Sequence, residues 1–178
     1  MFSSSRLLGT DEQLLRDVSA LQKQQKDASQ TLDDRLRKIE PVKVSVDGRE
    51  LLVDPEEKRA YEEAIAPMRA GEFDKSVTAL AAFQRRYPSS PYTDSVRFWL
   101  GNALYGKRDY KAAITAFRDF VIAAPSHPRA PEAMLAMANS QAEMKDTRAA
   151  RKTIDDLVKA YPQSEAAQAG RERLASLK

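Results

Sequence analysis

A step of 37 residues runs through most of this chain and constrains its fold more than any other feature. Pro88, Pro125 and Pro162 lie in register on that step, as do Glu72, Asp109 and Asp146. So do the small residues Ala64, Gly101 and Ala138, the large apolar residues Leu80, Phe117 and Ile154, and the columns Phe83, Phe120, Leu157 and Ser76, Ala113, Ala150. The clearest copy, LGNALYGKRDYKAAITAFRDFVIAAP from Leu100 to Pro125, holds two helical periods either side of a polar break at Lys107-Arg108-Asp109. Each period has one apolar face carrying small residues (Gly101, Ala103, Ala113, Ala116) where a second helix can approach closely. The unit is a helical hairpin, and a hairpin that cannot bury its apolar face alone must stack on its neighbours.

At these residues the chain resembles the tetratricopeptide repeat. Leu100, Gly101, Tyr110, Ala113, Phe117 and Pro125 supply that family's pattern, although the usual period is about 34 and the 37 here adds three residues between repeats. The flanking copies are weaker: the first has Glu63 and Ala64 in place of Leu-Gly and a Pro67 expected to bend or shorten its first helix, and the third has Thr147 for the aromatic. The expected architecture is all-α, a solenoid of three hairpins over 55–88, 89–125 and 126–162 with a capping helix over 163–178. Asp54-Pro55-Glu56-Glu57 carries the start signals of the first hairpin, Ser90-Pro91 and His127-Pro128 open the next two, and Ser164 caps the last helix. Pro131 is tolerable in a first turn, where backbone donors lack partners.

Residues 1–10 are expected to be irregular, and 11–40 to form one helix with a heptad seam. Leu14, Val18, Leu21, Gln25, Ala28, Leu32, Arg35 and Ile39 alternate steps of four and three. Such a stripe asks for a partner, and Gln25 on the seam sets register at some cost in stability. Pro41 ends the helix. Over 41–54 the period changes to two: Val42, Val44 and Val46 alternate with polar residues, Asp47-Gly48 offers a turn, and Leu51 and Val53 resume. This segment reads either as a small β-hairpin that pairs with another copy or as an extended linker.

The charge is nearly balanced. Residues 1–54 hold nine Lys and Arg against ten Asp and Glu, the remainder 20 against 16, and the basic pairs Arg85-Arg86 and Lys107-Arg108 stand beside acids, which disfavours nucleic acid. No run of apolar residues reaches the length of a membrane span, and Leu7-Leu8 is too short for a secretory signal peptide. With no cysteine there is neither a disulfide nor a thiolate metal site. His127, the only histidine, precedes a proline and reads as a surface or capping residue. Asp33-Asp34 and Asp155-Asp156 are helix neighbours that point apart, and no phosphate-binding glycine loop occurs. Neither an enzyme nor a cofactor is expected.

A binding surface remains. The first helices of stacked hairpins line a concave side, and the family's groove positions fall on Lys58, Tyr61, Ile65, Met68 and Arg69, then Phe98, Asn102 and Tyr105, then Glu132, Leu135, Asn139 and Glu143. Ring faces and amides interleaved in this way suit an extended peptide; the alternative is that Phe98 and Tyr105 are packing residues. Trp99 reads as core. A heptad helix, a segment LRKIEPVKVSVDGRELLVDPEEKRAYEEA, then RFWLGNALYGKRDYKAAITAF and KAYPQSEAAQAGRERL, taken together, resemble the periplasmic YbgF family, also called CpoB, of the Tol-Pal system. The resemblance implies a periplasmic, non-enzymatic adaptor that trimerises through its coil. The partners it implies are TolA-like and peptidoglycan-synthase proteins, in the coordination of septal wall synthesis with outer-membrane constriction at cell division. Members of that family carry an export signal and a longer coil, from which this chain departs. A cytoplasmic adaptor for a chaperone or secretion system and a structural spacer are the other readings.

Overall fold

The computed structural model describes the backbone from Phe2 to Leu177 and the side chains from Gly9 to Leu177. Two units divide the chain, Met1–Glu40 and Pro41–Lys178. The first is one helix, α1, Phe2–Arg37. It begins well before Asp11, so 2–10 are helical rather than irregular; Met1 lies outside the described residues. It also stops short of Ile39, which sits in the turn before Pro41, because the proline disfavours helical backbone in the residue ahead of it.

The second unit opens with an antiparallel hairpin, β1 Val42–Val46 and β2 Arg49–Val53, whose register pairs Val42 with Val53 and Val46 with Arg49. Both turn residues have positive φ, Asp47 at 53° and Gly48 at 75°, the two-residue turn whose twist matches that of the strands. Seven helices follow: α2 Pro55–Arg69, α3 Phe73–Arg86, α4 Thr93–Gly106, α5 Tyr110–Ala123, α6 Ala130–Glu143, α7 Thr147–Ala160 and α8 Glu165–Ser176. They form three hairpins and a terminal helix, a tetratricopeptide-repeat solenoid.

The 37-residue step recurs in the backbone itself. Gly71, Arg108 and Lys145 occupy one column with φ of 74°, 66° and 64°, the left-handed residue that closes each first helix. The amides of Glu72, Asp109 and Asp146 then reach back to the carbonyls of Pro67, Leu104 and Gln141. Asp109 and Asp146 go on to cap the second helices by accepting from the amides of Ala112 and Ala149. Pro67 does not shorten α2, which ends in the same column as α4 and α6, because a proline this close to the end costs a single ladder bond. The column Ser90, His127, Ser164 builds the turns before α4, α6 and α8: Ser90 Oγ accepts from the Tyr92 amide, His127 Nδ1 from Arg129 at 3.0 Å and Ser164 Oγ from Ala167. In the first two of these the turn takes up the residues at Pro91 and Pro128, so α4 and α6 start at Thr93 and Ala130.

The core lies where first and second helices face each other. Leu80, Phe117 and Ile154 are fully buried, and so are Phe120 and Leu157. Size is traded across the interface. Phe117, the largest of its column, meets Gly101, where an added Cβ would lie 2.6 Å from the ring; Leu80 and Ile154 have Ala64 and Ala138 in that column. Gly106 is pressed in the same way against the ring of Phe73. The hairpin joins this core on one face, Val42, Val44, Val46 and Leu51 packing against the cluster that holds Tyr61, Ala64, Ile65, Tyr92 and Val96. Each half-buried aliphatic contributes on the order of 1 kcal/mol, which a hairpin alone in water would lack.

Candidate functional site

The first helices of the three hairpins are α2, α4 and α6, and the β-hairpin packs beside the first two of them. Asp47, at the hairpin tip, is almost wholly enclosed: its side chain keeps 4% of its exposure. Ser95 Oγ on α4 donates to Asp47 Oδ2 and Arg129 Nε donates to Oδ1, both at 2.5 Å. Arg129 also donates to Glu132 at 2.9 Å, and its guanidinium stands 5.1 Å and 5.2 Å from the ring centroids of Phe98 and Trp99. A second ion pair, Arg49 to Asp94 at 3.5 Å, holds β2 to α4. Residues far apart in sequence thus meet at one carboxylate.

His127 is buried beside this cluster, with Nδ1 accepting from the Arg129 amide and Nε2 at 3.9 Å from Asp47 Oδ2. An accepting Nδ1 puts the proton of the neutral ring on Nε2, which has no hydrogen-bond partner. Its pKa is lowered, first by burial and then by the Arg49 charge, against the opposing pull of Asp47. The ring packs edge-on to Phe120 with centroids 5.1 Å apart. It is a turn residue of the core, closed off from any substrate.

Between β1 and α2 a cavity of about 510 Å³ remains open. One wall is the whole of β1 from Lys43 with Asp47, the other a single stripe of α2 carrying Lys58, Tyr61, Glu62, Ile65 and Arg69. Trp99 and Tyr92 from the second repeat and Arg129 complete it. Tyr61 and Tyr92 are stacked with centroids 4.0 Å apart, and Phe83 meets both edge-on. Burial, reinforced for Tyr61 by Asp47 and for Tyr92 by Glu62 and Glu57, pushes both phenols up to about 12, so each keeps its proton across the physiological range. The site can hold an apolar or peptide segment against ring faces between polar walls.

The residues expected in a groove are not brought together in one place. Lys58, Tyr61, Ile65 and Arg69 line this cavity, while Met68 packs on the core beneath it. Phe98 is not a groove residue. It is fully buried against Phe117 and Phe120, because the Arg129 guanidinium held by Asp47 covers its ring. Further along, Asn102 donates to its own helix at the Phe98 carbonyl, and Tyr105 is half-buried against Tyr110. The Tyr105 phenol is raised by burial and by Glu143, with Arg173 pulling the other way, so charges on α6 and α8 both act on this residue of α4. Asn139 is half-buried, Glu132 and Glu143 are exposed, and Leu135 lines a separate cavity with Ser164 and Ala169. Trp99, expected in the core, packs there and also lines the cavity.

Asp47, Arg129 and Tyr92 were not expected in the site. Asp-Gly is a turn signal, and no local pattern tells that the aspartate also closes a contact to Ser95 and Arg129, 48 and 82 residues on. On α1, Leu14, Val18, Leu21, Gln25, Ala28 and Leu32 are exposed along one seam, as is Ile39 beyond the helix end.

The chain is similar to several known proteins. The chain is 39% identical over 57 residues to the cell division coordinator CpoB of Pseudomonas putida, a match that spans 32% of this chain and 21% of that protein. Among solved structures it is similar to the tetratricopeptide domain of Arabidopsis OM64 (TM-score 0.55, 12% identity, 68% of this chain and 95% of that one). It is also similar to PcrH in complex with the chaperone-binding region of PopB (TM-score 0.55, 14% identity, 69% and 94%). Both are likenesses of fold. The profile of the family described as YfiO, outer membrane lipoprotein, matches residues 53–178, from the last residue of β2 through every repeat, and the chain, a tetratricopeptide-repeat protein, belongs to that family.

Proposed function

We propose that this chain is a non-enzymatic adaptor that holds an extended segment of a partner protein against the concave side of its repeats. The observation that carries this reading is the cavity lined by Tyr61, Tyr92 and Trp99 between β1 and α2; in this reading Asn102, Tyr105, Asn139 and Glu143 extend the binding surface along the first helices. Rings bury apolar area, amides and carboxylates satisfy a backbone, and no covalent chemistry is required. The likeness to CpoB supports a periplasmic setting in cell division, with a TolA-like protein and a peptidoglycan synthase as partners. The exposed seam of α1 supports self-association, as a trimer by the family resemblance. The match to CpoB spans about a fifth of that protein's length.

The test uses purified soluble domains of those two partners. Binding should be lost in the double variant Asn102→Ala, Tyr105→Ala, with the helical melt nearly unchanged; unchanged binding sinks the groove reading. Sedimentation of the chain at micromolar concentration should give a trimer that Leu21→Asp dissociates, and a clean monomer removes self-association. A second reading has one observation in its favour: solved neighbours of this fold include PcrH bound to a region of PopB, which suits a chaperone of a secretion system. It is preferred if the chain captures a secretion substrate's segment in the cytoplasm and neither of the two domains.

A further inference from the structure

Among the described residues neither edge of the two-stranded β-hairpin is paired with a further strand, and of the two it is the β1 edge that lies at the cavity. A two-residue turn makes Val46 and Arg49 the first hydrogen-bonded pair, and alternation makes Val44–Leu51 and Val42–Val53 the next. The backbone groups of Lys43 and Ser45 therefore point away from β2, and among the described residues neither amide finds another backbone partner. All of β1 except Val42 lines the cavity, and β2 contributes nothing to it. Opposite, at the width of the cavity, runs α2, a helix, which offers no strand edge to pair with. A strand entering here would have one ladder to join and one wall of side chains to face.

That wall carries a sign. Among the described residues Lys43, Lys58 and Arg69 line the cavity without an ion pair, against Glu62; the other charges in it, Asp47 and Arg129, pair with each other. Below lie Tyr61 and Trp99, a floor for alternate side chains of an extended chain. Proteins manage an exposed edge with charge, distortion or cover, and this one has a single lysine and a built trough beside it. We propose that the free edge of β1 is a strand-pairing site for an extended acidic segment of a partner protein, seated between β1 and α2. Its backbone pairs with Lys43 and Ser45, its apolar side chains lie on Tyr61 and Trp99, and its carboxylates face Lys58 and Arg69. This rests on the adaptor reading and says how its first repeat binds.

The test titrates the full chain with a short peptide alternating glutamate with valine or threonine, and with the same peptide carrying lysine for glutamate. Hydrogen exchange is followed residue by residue. The glutamate peptide should bind and slow exchange at the Lys43 and Ser45 amides, while the lysine peptide should bind at least about fivefold more weakly. Ser45→Pro removes an edge donor without touching the ladder to β2 and should weaken binding by about tenfold. Lys58→Glu with Arg69→Glu should reverse the preference between the peptides. Binding that leaves Lys43 and Ser45 unprotected and perturbs Asn102 and Tyr105 instead would overturn the strand mode and leave the adaptor reading standing. Equal binding of both peptides, or of neither, would overturn the proposed ligand class; failure of the adaptor reading is judged separately, on the purified partner domains.

Discussion

Gly101 shows how far one position can be dictated by its neighbour. With no room for a Cβ above Phe117, Gly101→Ala should destabilise by about 1–3 kcal/mol through overpacking. In the double variant with Phe117→Leu, which restores the pairing used at Ala64 and Leu80, the two losses should fall well short of adding. Denaturant midpoints of the four proteins measure this coupling, and simple additivity would refute it. His127 is the residue-scale source of pH dependence. Its folded pKa lies below the ordinary 6.5, so the unfolded chain binds the proton first as pH falls. The contribution is present in full above about 6.5 and is lost through the window from there down to the lowered folded value. Urea midpoints from pH 8 to 5 should fall below about 6.5, and His127→Gln should flatten that fall.

Among the elements, the hairpin is the one whose place depends on a single side chain. Asp47→Ala leaves Arg129 with only the exposed Glu132 as partner, deprives Ser95 of its acceptor and puts alanine at positive φ; a loss of about 1–3 kcal/mol is expected. Asp47→Asn, which tolerates that backbone and still accepts hydrogen bonds, should lose about half as much. Trypsin cleavage after Lys43 should accelerate in the same order as the hairpin lifts, and equal cleavage rates in all three proteins would show that the latch does not hold it. The edge site on β1 depends on this latch, since the cavity exists only while β1 lies beside α2. For α1 the opposite holds: among its described residues the apolar seam, Leu14, Val18, Leu21 and Leu32, is exposed.

At the scale of the molecule, each repeat is finished by the next. α8 closes the stack, with Gly170 against Ile154 and Leu157, both fully buried. Removing 163–178 should expose those two side chains and cost several kcal/mol, about 1.5–3 for each. Calorimetry of the truncated chain should show one cooperative transition at lower temperature. Two separate transitions within 55–162 would mean that the repeats do not share a core.

The 37-residue step, the columns of proline and small residues and the Asp-Gly turn are local patterns, each legible because its cause lies within a few residues or in the repeat of a unit. They determined three helical hairpins and a capping helix. The exclusion of Phe98 from the groove, the enclosure of Asp47 and the trough beside β1 were decided only by tertiary structure. All three follow from one buried carboxylate that draws Ser95 and Arg129 to it across 48 and 82 residues, and Coulomb attraction in a desolvated place leaves no periodic mark on a sequence.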